Sequence, residues 1–93
     1  MAVKHAHQIK EIRRLLFNMG IPTVLVGTDE EPVVWLLDDE RQFRNRPVEA
    51  LALTPDGKEW VFGWKASLLA VHEPAVRVAK ELADCYYQAL RRS

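Results

Sequence analysis

Three histidines, one cysteine, two short acidic runs and an arginine-rich stretch are the parts of this 93-residue chain whose side chains could do chemistry. His5 and His7 stand two residues apart, which on a helix puts them on different faces; zinc would want a four-residue step and further ligands. His72, beside Glu73 and just before Pro74, reads as a helix-start residue rather than an acid–base catalyst. Cys85 falls in the Leu82–Tyr86 register of an apolar helical stripe, with no helix N-terminus or fixed cation near it in sequence. It reads as a small buried hydrophobe, not an activated thiolate. Asp29, Glu30 and Glu31, then Asp38, Asp39 and Glu40, supply carboxylates. An extended segment between the two runs, at roughly 3.3 Å per residue, would hold them about 20 Å apart, and neither run has the spacing of a calcium loop. No glycine-rich phosphate loop is present. The residues point away from catalysis, and no metal or cofactor is expected.

The stretch "RQFRNR" sets Arg41, Arg44 and Arg46 around Phe43, a combination that holds phosphates and stacks bases in nucleic-acid sites. Lys4, Lys10, Arg13 and Arg14 would extend such a surface, but "DDE" immediately precedes it. Thirteen basic and thirteen acidic residues cancel, so no global field draws in a polyanion or an anionic membrane. The distribution says more than the sum. Residues 1–20 carry four basic groups and one acid, while residues 27–40 carry six acids and no base. Runs of opposite sign suggest local pairing or a complementary contact between two chains. A nucleic-acid adaptor using Arg41, Phe43, Arg44 and Arg46 is therefore the alternative to a protein-interaction reading.

With 48% hydrophobic and 28% charged residues the composition is that of an ordinary globular protein, and the length suits one α/β domain over residues 1–93. A single cysteine forms no internal disulfide, so nothing marks a secreted scaffold. No apolar run reaches membrane-spanning length, and "MAVKHAHQIKEIRRLL" lacks a signal peptide's apolar stretch and cleavage site. A cytoplasmic protein is expected.

The elements that must position these residues follow from periodicity. Ile9, Ile12, Leu16 and Met19 recur at three- and four-residue steps, predicting a helix from about Val3 to Asn18 that Gly20 and Pro22 end. "TVLVG" and "PVVWLLD" flank the acidic turn, and "PVEALALT" and "EWVFGWK" flank "PDGK", a hairpin signal. Val78, Leu82 and Tyr86 make the stripe of a last helix, roughly Glu73 to Arg91. The prediction is an α+β two-layer domain, α-β-β-β-β-α, with a four-stranded antiparallel sheet and both helices packed on one face.

A three-residue hairpin loop with Gly57 at positive φ would set Ala52 opposite Trp60, Ala50 opposite Phe62 and Val48 opposite Trp64. Small side chains would then face large ones, and this uncharged stripe would be the floor of the core. A slip of one residue would instead set Leu53, Leu51 and Glu49 against the aromatics. In the expected register Leu51, Leu53 and Val61 occupy the reverse of the sheet, joined either by Val34 and Leu36 or by Val33, Trp35 and Leu37. With both helices spent on the first face, such a patch marks an interface. Leu36, Leu51, Leu53 and Val61 would be its apolar centre, with Glu49 and Glu59 at the rim. In the competing arrangement residues 66–72 or the loop around Phe43 cover that patch. The expected function is a non-catalytic adaptor or chaperone-like domain that forms a homodimer or binds another protein through this face.

The element order (a helix ending "LLFNMGIP", a strand, "LLDDE", a long loop, the "EALALTPDGKEW" hairpin, then "SLLAV" and a last helix) resembles type III secretion chaperone-like small proteins, including the YbjN group. The resemblance implies a non-enzymatic, often dimeric protein that binds a partner segment through exposed apolar surface. It assigns no binding residue.

Overall fold

The computed structural model describes residues 3–38, 47–63 and 68–92, and in them the periodic patterns become two helices and five strands. These are α1 (Ala6–Asn18), β1 (Thr23–Gly27), β2 (Pro32–Leu36), β3 (Glu49–Leu53), β4 (Glu59–Phe62), β5 (Leu68–Ala70) and α2 (Ala75–Arg92). The strands form one antiparallel meander in the order β1-β2-β3-β4-β5. The sheet therefore has one strand more than the sequence predicts. The "SLLAV" segment supplies it, with Leu69 opposite Trp60.

Directly opposed residues of antiparallel strands share a face, so the pairings sort every strand residue to one side or the other. Thr23, Leu25, Val34, Leu36, Glu49, Leu51, Leu53, Trp60, Phe62 and Leu69 lie on one face. Its central members join Ile9, Ile12 and Leu16 of α1 and Val78, Ala79, Leu82 and Tyr86 of α2 in a single buried cluster. Both helices thus pack on the same side, as the two-layer prediction requires. Trp60 and Phe62 are 1% and 0% exposed, and they floor the core; Trp64 lies outside the described residues. The Tyr86 hydroxyl donates to the Leu37 carbonyl oxygen at 2.7 Å, which ties α2 to the end of β2.

The hairpin register departs from the expectation by one residue. Leu53 lies opposite Trp60 and Leu51 opposite Phe62, while Ala52 pairs with Val61. Its cause is local. The Thr54 amide donates to the Glu59 carbonyl oxygen at 3.0 Å, so the loop has four residues, 55–58, rather than three. Asp56 holds it open: its carboxylate accepts from the Thr54 hydroxyl at 2.6 Å and from the Lys58 amide at 3.0 Å. The Glu59 amide returns a bond to Thr54 Oγ1, and Gly57 takes the positive φ of 71° that the loop needs. Leucines then stand beside aromatics in the sheet, and Ala79 and Ala83 of α2 are buried in the same core cluster.

Two outcomes follow. In urea denaturation Leu51→Ala should cost about 2–5 kcal/mol as a core truncation, whereas Ala52→Ser should stay within about 0.5 kcal/mol; the expected register would have put Ala52 in the core. The second concerns acid. The Thr54 hydroxyl first, then the Lys58 amide, hold the Asp56 carboxyl below its ordinary value of 3.8. A carboxylate with a lowered folded pKa contributes stability that is complete above the unfolded value and is lost as pH falls through the folded one. Wild type should therefore show a component of acid destabilisation below about pH 4 that is absent in Asp56→Ala, checked by urea midpoints across the acid limb.

Candidate functional site

The residues that the register turns away from the helices form the site. From β1 come Val24 and Val26, from β2 Val33 and Trp35, from β3 Ala50 and Ala52. From β4 come Glu59 and Val61, and from β5 Leu68 and Ala70. Each is half-buried or exposed, and none joins the buried cluster. Glu59 is the one charged side chain that the described strands place on this face. The pairings align Val26, Val33, Ala52, Val61 and Leu68 in a row that crosses all five strands without a polar side chain. At the ordinary strand spacing such a row is roughly 19 Å long. Leu68 is 51% exposed at its end, and Val24 is 36% exposed beside it.

Of the six residues expected at an interface, the structure brings two to this face, Val61 and Glu59. The other four lie on the helix side. Leu36 and Leu51 are buried in the core, Leu53 packs half-buried against it, and Glu49 is 3% exposed. This correction follows from the one-residue register shift, since a shift of one moves every side chain of a strand to the opposite face. The residues missed are Val33 and Trp35, which stood as one of two options for β2, together with Val26, Ala52 and Leu68. The signal that could have found them is "TPDG": an aspartate two residues after a threonine forms the side-chain-to-backbone turn that lengthens the loop.

Glu49 is not a rim residue but a buried carboxylate held beside a glycine. Its Oε1 accepts from the Ala50 amide at 3.0 Å. A Cβ built on Gly63 would overlap that same carboxylate oxygen, and Gly63 stands at φ 34°. The glycine thus supplies both the space for the carboxylate and a backbone angle that other residues rarely adopt.

The other chemistry-bearing residues are dispersed. His5 has a positive φ of 55° ahead of α1, and its ring stands edge-on to Trp60 with centroids 6.1 Å apart. His7 is exposed on α1 and His72 in the turn between β5 and α2, and Cys85 is buried on the inward side of α2. Among the described residues no group of three or more histidine, cysteine, aspartate or glutamate side chains gathers to hold a metal. The length of β2 separates Asp29, Glu30 and Glu31 from Asp38, while Asp39, Glu40, Arg41, Phe43, Arg44 and Arg46 lie outside the described residues. No described helix is long and apolar enough to cross a membrane. No protein-family model, curated protein or solved structure matches the chain, and the functional reading rests on the residues themselves.

Gly63→Ala should destabilise the fold by about 1–3 kcal/mol, because it forces both the φ and the carboxylate. In a double-mutant cycle with Glu49→Ala, which empties the crowded space, the two changes should be non-additive by about 1 kcal/mol. Chemical denaturation of the four proteins measures both quantities.

Proposed function

We propose that the protein is a non-catalytic interaction domain that buries its uncovered sheet face against an apolar protein surface, a second copy or another polypeptide. The observation that supports this reading is the unbroken row Val26–Val33–Ala52–Val61–Leu68 on a face that neither helix covers. A contiguous apolar patch on a sheet face gains free energy when another surface removes it from water, in proportion to the apolar area covered. Trp35, half-buried at the side of the row and opposite Ala50, is the aromatic anchor such an interface uses. The chemistry of the face suits protein better than nucleic acid. Base-stacking sheets carry basic side chains near their aromatics, whereas the charge that the described strands place here is the carboxylate of Glu59.

Single replacements of Val33 and Val61 by glutamate test this. Each should keep the far-ultraviolet spectrum of the wild type, reduce the fluorescence of 1-anilinonaphthalene-8-sulfonate bound to the protein, and weaken about tenfold or more any association that buries this face, as distinct from one through a sheet edge. A wild type that is monomeric at high micromolar concentration and also leaves the dye dark would overturn the proposal.

A further inference from the structure

The face is not the sole unpartnered feature: β1 is an edge strand, paired with β2 alone. Its pairing alternates in the antiparallel manner. The Leu37 amide donates to the Pro22 carbonyl at one end, and the Thr28 amide donates to the Glu31 carbonyl at the other. By that alternation Val24 and Val26 bond inward to β2, and Thr23, Leu25 and Gly27 aim their amides and carbonyls outward. The strand "TVLVG" contains no charge and no proline, two of the devices that blunt such edges.

Beside this edge runs an open groove of about 690 Å³ between α1 and β1, lined by Ile9, Phe17 and Leu25 and by the basic side chains of Lys10, Arg13 and Arg14. Phe17 is 75% exposed. The helix runs antiparallel to the strand: the Lys4 amide bonds the Asp29 carbonyl near the end of β1, and Arg13 Nε bonds Thr23 Oγ1 at its start. The end at Thr23 therefore holds Arg13, with Arg14 paired to Glu11 beside it, and the other end carries the acidic turn Asp29–Glu30–Glu31, with Lys4 alongside. Among the described residues the ion pairs are Arg14 with Glu11 and Arg77 with Glu73. Lys10, Arg13 and the three acids of the turn make none.

We infer that β1 pairs with β1 of a second copy, antiparallel about a two-fold axis at Leu25. That axis brings Leu25 against its own counterpart and Thr23 against Gly27 on either side, satisfying the outward groups of both strands. It also carries the acidic turn of each copy to the end of the edge where Arg13, Arg14 and Phe17 of the other stand, so the charges match twice by symmetry. The contact lies in the plane of the sheet and leaves the apolar face open, so it does not rest on the function proposed for that face.

Light scattering and amide exchange on the full chain test it. The wild type should dimerise at low salt and dissociate about threefold or more readily near 1 M salt, where screening reaches ~3 Å. Arg13→Glu and Glu30→Arg should each weaken the dimer about tenfold, and the double reversal should return it to within about threefold of wild type. The amides of Thr23 and Leu25 should gain protection with protein concentration, while those of Val24 and Val26 are protected throughout. Val61→Glu should leave this dimer intact. A monomeric wild type would overturn the inference, as would a double reversal no tighter than the single variants. A dimer that Val61→Glu dissolves while Thr23 and Leu25 exchange freely would overturn it too, and would support the sheet face as the contact instead.

Discussion

Thr54 closes the central hairpin from both directions. Its amide reaches the Glu59 carbonyl, its hydroxyl reaches the Asp56 carboxylate, and the Glu59 amide bonds that hydroxyl oxygen in return. A hairpin's register is set by its loop, and each neighbouring strand inherits the alternation. From this closure Leu53 comes opposite Trp60 and Leu51 opposite Phe62. Val34 and Leu36 then belong with them across β2, and Leu69 across β5. Nearly all the large buried side chains of the sheet are on one side as a consequence. Valines, alanines and Trp35 are left on the other.

A two-layer fold with both helices on one face completes one core and leaves the second sheet surface without a layer of its own. Here the helix side takes the bulk, with Trp60, Phe62 and Leu51 buried in one cluster with Ala79 and Ala83 of α2. The reverse takes mostly valines and alanines, with Trp35, Leu68 and Glu59 among them. Most of these residues are half-buried within the sheet itself, and neither helix covers them.

Charge placement works at a different site. The acidic turn and the basic side of α1 stand at opposite ends of the β1 edge, and they do not neutralise one another within the chain. The net charge of zero therefore conceals a local separation. Face and edge differ in what they present: the face offers apolar area, the edge unpaired backbone groups flanked by charged side chains.

Apolar spacing and turn residues determined the helices, four of the five strands and their antiparallel pairing, and an uncharged stripe determined the burial of Trp60 and Phe62, because those depend on short stretches of chain. Ile9, Ile12 and Leu16, or Val78, Leu82 and Tyr86, specify a buried stripe whatever lies beneath it. The facing of β3 could not be read in this way. "EALAL" offers alanines on one side and leucines on the other, and both are apolar, so hydrophobicity supports either assignment. Complementarity between neighbouring strands favoured alanine opposite tryptophan, but that rule looks only within the sheet. The tertiary structure decided for leucine through the hydrogen bonds of one aspartate turn. It settled the fifth strand for a related reason: three residues of "SLLAV" carry too little pattern to show that β4 still had an open edge to pair.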